Sequence, residues 1–273
     1  MRFKTRGLTV LVVVIAMVSA TGVVLASSGS KIRGGNGNDS LVNCRGGMAV
    51  HGQVLSEDSP VFPGDPQTMI ETFEFFDDEG FFSFKVEEVS LASHTGTHLD
   101  APAHFIEGGR SVDQLEAEDV VWPAYVIDVR DRIASDGPDF ELTLADIQQY
   151  EDLVGEIENG SMVIIQTGNE GLFVSDPDAY ANAVVPGFSA DAVQWMVDER
   201  NVGGIGSDTF GPDATGDETF GATFTILAND RVALPNLTNL DALARKGDIL
   251  MAPTVRLANG SGFQTNPISC LSR

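Results

Sequence analysis

The chain has 273 residues, 42% of them hydrophobic, and a formal charge of −24 from 40 acidic against 16 basic side chains. That apolar content suffices for one large core. The acidic balance excludes a basic nucleic-acid footprint and argues against phosphate-rich partners.

The first stretch, MRFKTRGLTVLVVVIAMVSATGVVLASSGS, sets Arg2, Lys4 and Arg6 before an apolar run from Leu8 to about Ala26. Small polar residues follow. This is the order of a secretory signal, and the run is also close to the roughly 20 residues that span a bilayer. Residues 1–26 are therefore expected to be a signal peptide or N-terminal anchor. The remainder is expected to be exported: secreted or extracytoplasmic, or membrane-anchored only through that segment. Residues 27–48 are rich in Gly, Ser and Asn and read as a flexible linker. Residues 49–273 read as one domain. Cys44 and Cys270 are the two cysteines, near the two ends of the exported part. In an oxidising compartment they are expected to form a disulfide. No Cys-x-x-Cys pair exists, which argues against a thiolate metal site.

Further along, FEFFDDEGFF (Phe73 to Phe82) is aromatic-rich. It reads as an apolar pocket wall, for this chain or a neighbouring one, or as buried core. FFSFKVEEVSLAS alternates like a strand. AYVIDVRD is a short buried strand, and LTLADIQQYEDLV has helical spacing with Thr143 as its cap. SMVIIQTG is a buried strand, SADAVQWMVDER a helix capped by Ser189, and VGGIGSDT a strand with close backbone approach. TNLDALARKGDILMAP predicts a helix, a glycine stop and a strand. Strands alternating with helices make this an α/β chain.

Four histidines occur, and three of them (His94, His98, His104) lie with Asp100 in SHTGTHLDAPAHF, Ser93 to Phe105. A fully extended strand would hold His94 and His98 about 13 Å apart, too far for one metal. A helix is disfavoured by Thr95, Gly96 and Thr97, and Pro102 soon follows. A bend at Gly96 is the remaining way to aim His94, His98 and Asp100 at one point. Two histidines and a carboxylate suit zinc, manganese or iron and leave coordination positions open, as catalytic sites do. Such a metal would acidify a water and polarise a carbonyl. His104 has the intrinsic pKa to relay the proton. A hydrogen-bonded turn, or a bound metal without catalysis, are the plainer readings of the same residues.

The segment HTGTHLDAPAHF resembles the His-x-Gly-Thr-His-x-Asp-Ala-Pro-x-His signature of the cyclase family, which includes bacterial kynurenine formamidase and isatin hydrolase. VLSEDSPVFPGDP, VIIQTG, VVPGFSADAVQWMVDERNVGGIGSDT, NLTNLDAL and the Gly-Ser-Gly before Pro267 resemble its other segments in order. The resemblance implies a swivelling β/β/α domain, a mixed sheet with flanking helices, assembled as a homodimer or higher homo-oligomer. It implies His94, His98 and Asp100 as ligands of one divalent metal, zinc or manganese first. His104 would be the general acid/base, with metal-bound water as nucleophile. Phe62 falls where a substrate-contacting tryptophan stands, so it would line the pocket; ordinary core packing is its other reading. Thr223 and Pro235 fall where two-metal members carry a histidine and a glutamate, and Val54 replaces an aspartate. A second metal is thus unsupported, with Asn236 and Asp208 as residues that could assist the first.

The function expected is hydrolysis of an amide or cyclic amide C–N bond in a small molecule, with a lactone or other ester as further substrates. The alternative is an exported non-catalytic or degenerate binding protein that keeps the fold and at most one metal.

Overall fold

The computed structural model describes residues 44–76 and 83–272. The expected signal or anchor (1–26) and the linker residues 27–43 lie outside the described residues, as do residues 77–82 of the aromatic run.

Thirteen described strands and six α-helices follow in order. They are β1 (Gly47–Val50), β2 (Met69–Phe76), β3 (Ser83–Ser90), β4 (His98–Asp100), β5 (Val121–Asp128), α1 (Arg130–Asp136), β6 (Glu141–Leu142), α2 (Leu144–Val154) and β7 (Met162–Gln166). Then come α3 (Leu172–Ser175), α4 (Pro177–Ala181), β8 (Gly187–Phe188), α5 (Ala190–Arg200), β9 (Gly204–Ser207), α6 (Gly221–Ala228), β10 (Val232–Leu234), β11 (Lys246–Met251), β12 (Gly262–Gln264) and β13 (Ile268–Leu271).

Nine strands form one mixed sheet in the order β1-β13-β11-β5-β7-β9-β10-β4-β12. Its centre, β5-β7-β9-β10, is parallel. Antiparallel strands flank it on both sides. The period-2 side-chain alternation of the central strands feeds two cores. Tyr125, Ile127, Val163, Ile165 and Ile205 face one layer with Ile147 of α2, Val193 and Met196 of α5, and Ile226 of α6. Ala124, Val126, Met162 and Ile164 face the other, against Leu99, Leu115, Leu237, Leu240 and Leu250. Helices thus cover one face, while loops and short turns cover the other. This is the mixed α/β sheet with flanking helices that the sequence implies, with strands buried on both faces where they run parallel.

The two long helices begin where their caps predict. Thr143 Oγ1 accepts from Asp146 N at 3.4 Å while Asp146 Oδ2 accepts from Thr143 N at 2.7 Å, a reciprocal capping box. Ser189 Oγ accepts from Ala192 N at 3.3 Å and starts α5.

Three expectations need adjustment. The segment TNLDALARKGDILMAP forms no α-helix. Leu240–Ala242 is a single 3-10 turn, entered through a left-handed Asn239 (φ 55°). Asp248 Oδ2 accepts from Ala244 N at 2.7 Å, so the chain is turned into β11 before a second helical turn can close. Gly247 (φ 99°) is no helix stop; it lies at a register shift inside β11. The sheet also starts inside the expected linker: β1 begins at Gly47 and pairs with β13 from Leu271 to Ile268. Finally, Phe73 lies in a hairpin, β2–β3, that forms its own two-stranded sheet, and Phe73 is exposed rather than buried.

Cys44, just ahead of β1, and Cys270 in β13 are joined by a disulfide, with Cα atoms 4.8 Å apart.

Candidate active site

The site begins with backbone geometry. Gly96 has φ 66°, in the left-handed region open to glycine, and a Cβ there would sit 2.3 Å from Leu55 Cδ2. The chain therefore turns sharply at Gly96 and enters β4 with His98 and Asp100. Pro102 opens a 3-10 turn, Pro102–His104, which swings His104 back over His94. The His94 and His104 rings stack at 3.8 Å and 20°, and the His94 and His98 rings meet edge-on at 5.0 Å. The bend read from sequence is the bend in the structure.

Hydrogen bonds define what each ring presents. His98 Nδ1 donates to Gly96 O at 2.7 Å, which directs Nε2 toward Asp100 Oδ1, 3.1 Å away. His94 Nδ1 lies 2.7 Å from the same Asp100 oxygen, and its Nε2 lies 2.9 Å from Ser261 Oγ. Ligand atoms of His94, Asp100 and His104 all fall within 4.8 Å of one another. Thus the four sequence-selected residues, His94, His98, Asp100 and His104, are brought together. Among the described residues, the group that could hold a metal is His94, Asp100 and His104; the buried His98 meets it through Asp100.

The electrostatics match this arrangement. Burial opposes charge on both His98 and Asp100, but each outweighs that cost for the other. The Asp100 carboxylate raises His98, and the two histidines hold Asp100 well below the usual carboxylate range. Burial lowers His104 and outweighs the opposing charge of Asp100, with His94 and His98 adding to the lowering. It is therefore neutral near pH 7 and available to take a proton.

This donor set fits a divalent cation. In the metal-free arrangement, His98 Nε2 and Asp100 Oδ1 face each other and need a proton between them. A cation satisfies both lone pairs by displacing that proton. The Nδ1–H···O=C bond from His98 to Gly96 is the outer support that orients ligating histidines.

Around the rings lies an aromatic wall. Phe105 meets His104 edge-on at 4.8 Å and Phe220 at 6.1 Å. Phe62 meets Phe220 at 6.2 Å and Phe210 at 5.9 Å. Phe62 is 43% exposed, so it is a rim residue rather than core. Sequence reasoning singled out Phe62 but missed Phe105, Phe210 and Phe220. Only Phe105, adjacent to His104, carried a local signal. For Ser261 the sequence offers only its place in the Gly-Ser-Gly stretch. Its neighbour Gly262 lies under His94, where a Cβ would sit 2.5 Å from His94 Cε1.

The departures have structural jobs. Thr223 is buried, and its hydroxyl donates to Asp213 Oδ2. Asp213 Oδ1 accepts from Ala222 N and Thr223 N at 2.8 and 3.0 Å, closing the first turn of α6. Asp208 is committed to Thr167 N, Thr167 Oγ1 and Gly168 N. Asn236, next to Pro235, bonds Gly96 O rather than facing the triad as a free ligand. Val54 is 74% exposed on a groove of about 650 Å³ lined also by Leu55, Gln53 and Val255.

Comparison with known proteins places the chain. The family profile described as "Putative cyclase" matches residues 51–214. The chain belongs to the cyclase family. It is 30% identical over 262 residues to the isatin hydrolase of Roseibium aggregatum, covering 91% of this chain and 96% of that protein. It is 27% identical over 210 residues to a kynurenine formamidase of Bacillus thuringiensis, covering 77% of this chain and 90% of the relative. Among solved structures, isatin hydrolase A from Ralstonia solanacearum matches with a TM-score of 0.76 at 29% identity, over 84% of this chain and 94% of that one. The fold described above is thus that of the cyclase family, and the curated relatives it matches are hydrolases.

Proposed function

We propose that this cyclase-family chain hydrolyses an amide or cyclic amide C–N bond in a small aromatic molecule, using one divalent cation. The observation that carries this reading is the convergence of His94, Asp100 and His104 beside an exposed aromatic rim. His94, His98 and Asp100 would hold the cation, with zinc or manganese best suited to that donor set. When bound, such a cation supplies Lewis acidity to a carbonyl and makes water a better nucleophile near neutral pH.

The chain's own residues do the rest. Phe62, Phe105 and Phe220 offer edge and face contacts to an aromatic ring and exclude water from one side. His104, kept neutral by burial, accepts a proton on a ring nitrogen and returns it to the departing nitrogen. Asp100 and Ser261 hold the His94 ring on which His104 stacks.

The test is a hydrolysis screen of purified, metal-loaded protein against N-formylkynurenine, isatin and simple lactones, with elemental analysis. Turnover with about one equivalent of metal per chain is the expected result. Two equivalents would contradict the reading that Thr223 and Pro235 leave a second metal without ligands. Binding of metal without turnover on any of these would favour the non-catalytic reading, to which the loss of ligands at those two positions lends support.

Two further proposals complete the reading. The chain is exported, on the strength of the apolar segment before residue 27 and the Cys44–Cys270 pair; cell fractionation with an N-terminal sequence of the mature chain tests it. It also works as a homodimer. Met69, Phe73, Val86 and Val89 leave apolar surface on a two-stranded hairpin, which is marginal alone in water. Sedimentation of wild type and a Phe73→Ser/Val86→Ser variant tests that, with a monomeric wild type ruling it out.

A further inference from the structure

Asn236 is fully buried and left-handed (φ 57°), and each of its polar groups is engaged. Its N–H donates to Thr209 O at 2.8 Å, and its carbonyl accepts from Thr97 Oγ1. Its Nδ2 donates to Gly96 O at 2.9 Å, and its Oδ1 accepts from Tyr180 O–H at 2.6 Å. Thr97 Oγ1 in turn accepts from Gln53 N at 2.8 Å.

One acceptor joins this network to the site. Gly96 O takes hydrogen bonds from both Asn236 Nδ2 and His98 Nδ1. The Tyr180 hydroxyl decides which end of the Asn236 amide faces Gly96. Donation to Oδ1 leaves Nδ2 as the end directed at the carbonyl. With that carbonyl pinned, His98 keeps a proton on Nδ1, so Nε2, which faces Asp100 through a shared proton, is the nitrogen that can give that proton up and offer its lone pair to a cation. A carbonyl free to rotate would release the Nδ1 proton's partner, and the ring could take the other tautomer, with no lone pair toward the cation.

We infer that Asn236 and Tyr180 are a positioning pair that sets the tautomer of His98 through the Gly96 carbonyl. The inference rests on the metal-dependent reading only for its consequence, tighter cation binding. Neither residue touches the triad itself. Tyr180 is anchored far from it in sequence, in α4 among Phe173 and Phe210. Its second contact, Asp208 O at 3.2 Å, keeps the hydroxyl in place.

The experiment compares wild type, Asn236→Asp and Tyr180→Phe. Asn236→Asp is isosteric, keeps the acceptor for Tyr180 and removes the donor to Gly96. Two quantities are read: the ring-nitrogen protonation of His98 by 15N NMR of the metal-free protein at alkaline pH, and Mn²⁺ affinity by calorimetric titration. Wild type is expected to hold the proton on Nδ1. Asn236→Asp is expected to populate the other tautomer and bind Mn²⁺ roughly 10–100-fold more weakly, as for other outer partners of ligating histidines. Tyr180→Phe is expected to shift both in the same direction by less. A purely structural residue would lower the melting temperature and leave the tautomer alone. A folded Asn236→Asp with wild-type tautomer and Mn²⁺ affinity within twofold overturns the inference. Should that variant not fold, the same two results in Tyr180→Phe overturn it. A wild type that binds no Mn²⁺ would defeat the metal-dependent reading instead, leaving the tautomer measurement to decide this one.

Discussion

At the scale of single residues, His104 separates chemistry from binding. It stacks on His94 yet arrives from its own 3-10 turn, and burial keeps it neutral. His104→Ala is expected to lower turnover by about 10²–10⁴, the usual worth of a general acid/base. Metal content should remain near one equivalent, held by His94, His98 and Asp100. Undiminished turnover would remove His104 from the reaction; loss of the metal would make it a ligand. His51, the fourth histidine, behaves differently. It is fully buried, donates from Nδ1 to Thr238 O at 3.0 Å and accepts at Nε2 from Ser269 Oγ at 2.8 Å. Burial lowers its pKa in spite of the backbone at Thr238 and Asn239 and the charge of Asp248. The unfolded chain then binds a proton near pH 6.5 that the folded chain refuses, so this residue costs stability as pH falls below about 6.5. His51→Asn is expected to be less stable at neutral pH but to lose less on acidification from about pH 7 to 5 than wild type does. Equal slopes in melting temperature against pH would refute the assignment. The functional histidines were legible because a scarce residue type was concentrated in one short segment. Ser261 and the wall of Phe105, Phe210 and Phe220 were not, because they reach the site from distant parts of the chain.

At the scale of elements, the Gly96 bend is the feature on which the site depends. Its positive φ and the 2.3 Å approach of Leu55 to a would-be Cβ both oppose any larger residue. Gly96→Ala should cost on the order of 1–3 kcal/mol, from left-handed strain and from displacement of Leu55. Adding Leu55→Ala relieves the contact but not the backbone, so its cost on top of Gly96→Ala should be smaller than its cost in wild type. Additive losses in denaturant unfolding would show that Leu55 does not set the penalty. The bend, the caps at Thr143 and Ser189, and the central strands were readable because each is specified by residues close in sequence. The segment after Asn236 was not. Its leucines fit a helical spacing, but Leu237, Leu240 and Leu243 are spent on the second core beneath β11. There tertiary burial overrides local propensity. The 3-10 turn and the bulge at Gly247 follow from that demand, and nothing local announces them.

At the scale of the whole molecule, the first and last described strands in sequence are tied together at one edge of the sheet. β1 is an edge strand whose one described strand partner is β13, and the Cys44–Cys270 disulfide joins them across a sequence separation of 226. A loop that long would contribute about 5 kcal/mol by the chain-entropy relation, although measured disulfides more often give about 2–4 kcal/mol. A second attachment works beside it. His51, one residue beyond β1, bonds Ser269 of β13, and its backbone N–H donates to Pro267 O at 2.8 Å. Reduction should therefore weaken the fold without releasing β1 completely. At roughly 2–4 °C per kcal/mol for a domain of this size, the melting temperature should fall by about 5–15 °C. The formal charge of −24 makes the reduced protein the more salt-sensitive form, since it loses a covalent tie while its self-repulsion remains. Raising ionic strength should recover part of the loss. The measurement is a thermal melt with and without reductant at low and high salt, with free thiols counted by an alkylating reagent. Two titratable thiols with an unchanged melting temperature would mean that the β1–β13 pairing and the His51 contacts hold this edge unaided. A Cys44→Ser/Cys270→Ser variant that melts with the reduced wild type would assign the loss to the bridge itself.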